Sequence, residues 1–210
     1  MTDDEIPGGA GHWRDVYRRK ASDSVSWFRP HLDVSLRLLD EAGLSARSRV
    51  IDVGGGASTL VDDLLARGVT DITVLDLAEE ALAVARQRLG DRGANVRWLA
   101  ADATRVELPP AGYDLWHDRA VLHFLVEADA AAAYVAQVRK SLASGGHLVI
   151  GGFAPDGPDR CSGLPVARRS AAEVAALFGR DFTLLRETGE VHHTPGGVPQ
   201  SFVWSVLRFL

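Results

Sequence analysis

The run Arg49-Val-Ile-Asp-Val-Gly-Gly-Gly-Ala-Ser-Thr59 decides the reading of this chain, because a short β-branched stretch carrying an acid passes straight into three glycines. Arg49–Val53 has the length and composition of a buried strand, and Leu60, Val61, Leu64 and Leu65 fall on one helical face that Gly68 ends. A glycine turn between strand and helix lies at the carboxyl end of the strand, where open α/β sheets bind ligands. Glycine suits that place because the backbone must turn tightly and lie close to what it binds, which a Cβ would prevent. A purely structural βα turn has the same pattern, so the turn needs its context.

Downstream, the rhythm of strand and helix repeats. Ile72–Leu75 reads as a strand, Leu82, Ala85 and Leu89 as a helical stripe, and Glu79 and Glu80 stand in that helix's first turn, where its dipole favours negative charge. Strands follow at Val96–Leu99, Tyr113–His117 and His147–Gly151, with a helix carrying Tyr134, Val135, Val138 and Leu142 between the last two. A Pro/Gly/Asp loop from Pro155 to Pro165 leads to Ser170-x-x-Glu173, a capping box ahead of Val174, Leu177 and Phe178. Phe182–Glu187 and Phe202–Arg208 read as closing strands joined by the loop Thr188–Ser201, whose length suggests work beyond turning. The expected fold is therefore α/β: a single doubly wound, mostly parallel seven-stranded sheet with helices on both faces and an antiparallel closing strand. Residues 1–11 read as a mobile acidic and Pro/Gly-rich tail, 12–48 as an N-terminal helical arm or lid, and 49–210 as a Rossmann-like domain.

Composition bounds the function. At 210 residues, 46% apolar and 24% charged, the chain has enough apolar surface for one core, and a formal charge of −5 gives no overall field that draws in nucleic acid. No membrane partner is expected, since nowhere do 18 apolar residues follow one another. Cys161 is the single cysteine, which excludes an intramolecular disulfide framework and fits the reducing cytoplasm. No metal is expected: His192 and His193 are neighbours in extended chain and point to opposite faces.

Acids sharpen the glycine turn. A dinucleotide fingerprint wants Gly-x-Gly-x-x-Gly, and here its third position falls on Thr59, which counts against a nicotinamide-dependent oxidoreductase. Asp52 precedes the glycines, Asp76 closes the second strand where a carboxylate can accept both ribose hydroxyls, and Asp102 follows the third strand within reach of an adenine amino group. Each alone is an ordinary turn residue; three after three successive strands form a set.

At these residues the sequence resembles the class I S-adenosylmethionine-dependent methyltransferases. Ile51-Asp-Val-Gly-Gly-Gly56 is similar to the family's first motif, Val74-Leu-Asp76 to its ribose-binding acid, Ala101-Asp102-Ala103 to its adenine site and Tyr113-Asp-Leu-Trp-His-Asp118 to its fourth strand. One departure is Ser58, where many members have a third glycine; a small serine can cap the next helix. The resemblance implies S-adenosylmethionine as cofactor and S-adenosylhomocysteine as product, with contacts from Asp52, Gly54, Gly55, Gly56, Ser58, Asp76, Leu77, Asp102, Ala103 and Asp118. It makes Trp13, Tyr17, Trp27 and Phe28 an aromatic cover for a sulfonium, or else packing for the sheet edge.

The resemblance further implies direct displacement of the methyl group by a nucleophile on a small molecule or a protein side chain. Catalytic candidates are Asp118, as holder of an amine, and His117 and His123, as bases near neutral pH. The bland alternatives are hydrogen-bonded histidine filler and an Asp118–Arg119 helix cap with a solvated partner. The Asn/Asp-Pro-Pro-aromatic signature of many amino-group and base methylators is missing after Trp116. The Ser26-Trp-Phe28 step is similar to a branch that includes protein-lysine methylators of citrate synthase and of an elongation factor. The expected state is a monomer or weak homodimer. A non-catalytic nucleotide-binding protein is the remaining alternative.

Overall fold

The computed structural model describes residues 8–19 and 21–210. The expected mobile tail falls for residues 1–7 outside the described residues, and Ala10 and Gly11 already belong to the first helix. Six helices are described: α1 (Ala10–Arg19), α2 (Asp33–Glu41), α3 (Leu60–Ala66), α4 (Glu79–Leu89), α5 (Ala128–Ser141) and α6 (Ala171–Phe178). The strands are β1 (Arg49–Val53), β2 (Asp71–Asp76), β3 (Arg97–Ala100), β4 (Tyr113–Arg119), β5 (Leu142–Phe153), a small hairpin of β6 (Arg160–Cys161) and β7 (Leu164–Pro165), then β8 (Phe182–His193) and β9 (Pro199–Phe209).

Seven strands form one sheet in the order β3-β2-β1-β4-β5-β9-β8, parallel through β5, with β9 antiparallel to both its neighbours. Strand order reverses between β1 and β4, so a crevice forms at their carboxyl ends. Alternation along each strand feeds two cores. Val50, Val74, Leu115 and Val149 pack with Leu36, Leu39, Leu60 and Leu64 of α2 and α3. Ile51, Leu75, Trp116 and Ile150 face Tyr134, Val138 and Phe178 of α5 and α6. Ser170 and Glu173 form the expected capping box at α6.

The expected loop Thr188–Ser201 is corrected. Strands β8 and β9 pair from Phe182↔Phe209 to His193↔Pro199, leaving only residues 194–198 to turn. The missed portion alternates polar and exposed positions at the edge of the sheet. Its inward positions are polar, the half-buried Thr188 and Glu190 and the buried His192, and so it carries no apolar period. The expected helix after Ala120 is likewise only a single 3-10 turn, Leu122–Phe124.

At the β5–β9 boundary the Trp204 ring lies on Gly151, where a Cβ would come within 2.7 Å of three ring atoms. The ring cannot move away freely, since its Nε1 donates to Glu190 Oε2 at 2.8 Å. Gly151→Ala is therefore expected to destabilise the fold by about 1–3 kcal/mol through overpacking, whereas Gly189→Ala in β8 stays near neutral. Urea denaturation of both variants checks this, and equal midpoints would remove the steric account.

Candidate active site

The glycine turn is strained into place by its surroundings. Gly54 has φ +71°, and a Cβ there would lie 2.2 Å from Val121 Cγ2. At Gly55 a Cβ would come within 2.6 Å of both Asp52 Oδ2 and Val74 Cγ1. Only glycines admit this path. At Gly56 a Cβ would sit 2.7 Å from Asp76 Oδ2, so the turn passes directly beside the acid that closes β2.

Above the turn lies a cavity of about 860 Å³ that is partly open to solvent. One end is walled by Gly54, Leu75, Asp76, Leu77, Ala101 and Ala103, from the ends of β1 to β3. The other is aromatic: Trp13, Trp27, Phe124, Phe153 and Phe202 surround it, joined by Arg119, His123 and Cys161. Trp13 packs edge-on against Trp27 (5.9 Å) and Phe124 (5.0 Å), so the N-terminal arm and the turn after β4 meet across the cavity. A second cleft behind the glycine turn touches Asp52, Gly55, Ser58, His117 and Arg119.

Sequence-predicted residues divide between these places. Trp13, Tyr17, Trp27, Gly54, Asp76, Leu77, Ala103 and His123 line the cavity, and Asp52, Gly55, Ser58 and His117 line the cleft behind it. Ser58 Oγ accepts from Leu60 N at 3.1 Å, at the start of α3. Asp102 borders neither; its Oδ1 accepts from Thr104 N (2.8 Å) and Thr104 Oγ1 (2.7 Å) in a local turn, while its neighbours Ala101 and Ala103 reach the cavity. His192 lies within β8, where its Nε2 donates to the Ser26 carbonyl at 2.6 Å.

Strand alternation corrects the roles expected of Asp118 and His117. Asp118 is fully buried on the α5 side, where Oδ1 accepts from Val121 N (2.7 Å) and Oδ2 from Tyr134 Oη (2.6 Å) and Leu122 N (3.1 Å). It caps the turn after β4 and does not reach the cavity. Burial pushes its carboxyl up to about 6, against the pull of these donors. His117, one residue earlier, points to the opposite face. Its Nδ1 donates to Asp52 Oδ1 at 2.7 Å, its Nε2 has Ser35 Oγ at 2.9 Å, and Trp204 stacks on the ring. Neither is free to take a proton from an acceptor in the cavity.

His123 does reach the cavity, yet it is a poor base. Burial first, then the charges of Arg169 and Arg119, push its imidazole down to about 3. Cys161 is pushed up to about 11 by burial, so it stays a thiol. Asp76 is pushed up to about 7 chiefly by burial, opposed by the backbone N–H of Ala78 on Oδ1 (2.8 Å). Its neighbour Tyr17 is raised above the ordinary phenol value by burial and by the Asp76 charge.

Sequence reasoning missed Arg119, Phe124, Phe153, Gln200 and Phe202 as cavity residues. The alternative of a solvated Arg119 does not hold: its Nη1 donates to the Trp27 carbonyl at 2.9 Å and its guanidinium lies over Phe202. The aromatic residues are ordinary core formers in sequence, and only the pairing of β5 with β9 and the contact of Trp13 with Phe124 bring them around one space.

A glycine turn, an acid at the end of β2 and a hydrophobic chamber at the reversal point define a nucleotide-type cofactor site in an α/β enzyme. Residues 50–146, running from β1 into β5, match the family described as Methyltransferase domain, and over this stretch the chain is similar to the class I S-adenosylmethionine-dependent methyltransferases. The mouse eEF1A lysine and N-terminal methyltransferase is 25% identical over 146 residues, 69% of this chain and 20% of that one. This chain thus spans about a fifth of that relative's length. The ubiquinone biosynthesis O-methyltransferase of Aromatoleum aromaticum is 35% identical over 94 residues, 43% of this chain and 39% of its own. In fold, the chain is similar to the 1,6-didemethyltoxoflavin-N1-methyltransferase of Burkholderia thailandensis, with TM-score 0.69, 24% identity, and 95% and 83% of the two chains covered.

Two outcomes follow. Asp76 holds its proton to about pH 7 in the fold but to about 4 when unfolded. The folded state therefore binds more protons between these values, and stability falls as pH rises through that window. Asp76→Asn is expected to raise the melting temperature at pH 8 and leave it little changed at pH 4; an unchanged value at pH 8 in calorimetry would refute the buried-acid account. Tyr134→Phe leaves Asp118 Oδ2 short of a donor and is expected to cost about 1–3 kcal/mol in denaturant melts.

Proposed function

We propose that this chain transfers a methyl group from S-adenosylmethionine to a small acceptor seated in the aromatic end of the cavity. The observation that carries this is the continuity of one cavity from Asp76 and Leu77 to Trp27, Phe153 and Phe202. The residues fit the cofactor: Asp52 Oδ2 is buried without a partner beside the glycine cradle, a place for a donor to settle. Asp76 Oδ2 faces Gly56 and is the acceptor for ribose hydroxyls, while Leu77, Ala101 and Ala103 give the flat apolar walls that a base needs. When bound, S-adenosylmethionine supplies an electrophilic methyl group on a sulfonium.

The chain's own contribution is enclosure and alignment. Aromatic side chains around the chamber exclude water, and an in-line approach replaces much of what a base would otherwise do. At the aromatic end neither His123, pushed down to about 3, nor Cys161, pushed up to about 11, is poised near neutrality, so the acceptor's nucleophile arrives ready to react. The arm formed by residues 12–48 serves as the cover, supported by the meeting of Trp13 with Phe124. Among the described residues no helix is long and apolar enough to cross a membrane, and the lone Cys161 suits a cytoplasmic setting.

Titration calorimetry with S-adenosylhomocysteine, with NADH as control, tests the reading. Micromolar binding of the sulfur ligand and none of NADH is expected, with Asp76→Ala weakening it by about 10- to 150-fold. Binding of NADH alone would overturn it.

A further inference from the structure

Two side chains in the acceptor chamber carry nitrogens that the fold leaves without partners. Arg119 Nη2 is sealed from solvent and has no hydrogen-bond partner. His123 is 3% exposed, and both its ring nitrogens are sealed and unpartnered, held edge-on between Phe124 (4.3 Å) and Phe153 (4.9 Å). Unpaired buried polar groups are costly, and a buried charge costs more, so such an arrangement persists where a ligand completes it.

We propose that Arg119 and His123 form a subsite for an acidic group on the acceptor, so that the acceptor is a flat molecule bearing a carboxylate or a similarly acidic hydroxyl. This rests on the methyltransferase reading above. Glu190 is the acid whose field reaches Arg119 most strongly, but its oxygens are taken, Oε1 by Arg29 Nη2 (3.2 Å) and Oε2 by Trp204 Nε1 (2.8 Å). Arg169, on the other side of His123, is spent on the carbonyls of Leu122 (3.1 Å) and Leu125 (3.0 Å) and adds positive field. The chamber is thus apolar in surface and positive in potential. It opposes an ammonium group and welcomes an anion whose ring can lie against Phe153 and Phe202.

A carboxylate at Arg119 has a second possible source, the amino-acid end of the cofactor, since Arg119 also borders the cleft behind the glycine turn. The acceptor is favoured because the guanidinium lies over Phe202, 5.2 Å from the ring centroid, and acts on His123 and Cys161, all of which face the aromatic end.

Trp13 and Trp27 line the chamber, so tryptophan fluorescence reports occupancy without turnover. The protein saturated with S-adenosylhomocysteine is titrated with benzoate, benzamide and benzylamine. Benzoate is expected to bind at least about tenfold more tightly than benzamide, and benzylamine most weakly. Arg119→Met should erase the preference with little change in S-adenosylhomocysteine affinity, and Arg119→Lys should keep part of it. If Arg119→Met fails to fold by circular dichroism, His123→Phe gives the test by shrinking the benzoate preference in a folded protein. Equal binding of the three probes to wild type overturns the proposal. So does loss of S-adenosylhomocysteine binding in Arg119→Met with the benzoate preference intact, which assigns Arg119 to the cofactor. The probes are also titrated alone: failure of wild type to bind S-adenosylhomocysteine defeats the methyltransferase reading, and the probe order then still decides the anion subsite.

Discussion

The hydrogen bond from His117 to Asp52 joins the first strand to the fourth across the point where the sheet reverses its order. It fixes one carboxylate oxygen and turns the other toward the glycine cradle, so cofactor geometry and sheet geometry depend on one contact. The same imidazole reaches Ser35 in α2 and stacks on Trp204 in β9. Trp204 in turn rests on Gly151 and donates to Glu190, which pairs with Arg29 ahead of α2. A continuous chain of contacts therefore runs from the sheet's centre to its far hairpin and back to the arm that covers the cavity. In a poorly solvated interior such a network is worth most when every member is satisfied.

Much of the fold was legible in sequence because burial imposes periods. Val50 and Ile51, like Leu115 and Trp116, go to opposite cores, and near-continuous apolar strands between helical stripes announce a parallel sheet. The polar half of β8 was not legible, since backbone pairing at an edge asks little of side chains. In the site, Asp76 and Leu77 were readable because a strand end next to a glycine turn has one place to go. Asp118 was not: its neighbour His117 takes one face, it takes the other, and which face meets the cavity depends on packing against α2 and α5. Arg119 went unnoticed for a related reason. An arginine beside a capping aspartate reads as solvated, and only the approach of β9 and residue 27 buries it.

Several of the places where local rules are broken gather at the site. An orphaned oxygen on Asp52, an orphaned nitrogen on Arg119 and an unsatisfied His123 lie around the cavity and the cleft behind it, and Asp76 is an acid raised by burial at the same cavity. Elsewhere both outcomes occur: Asp118 takes three donors and Asp114 is held below the usual carboxylate range by Arg49, while Asp63 Oδ2, Gln137 Oε1 and Ser141 Oγ are buried without partners. Unpaired charged and ring groups gathered around one cavity are what is expected when stability is traded for binding. The contrast between Asp118 and Arg119 makes the point at one peptide bond. Two adjacent charged residues leave the same strand; the one turned inward is completely paired by the fold, and the one facing the cavity keeps a donor in reserve. Sequence proximity and formal charge do not distinguish them; the face of the strand to which each side chain turns, and the partners it meets there, do.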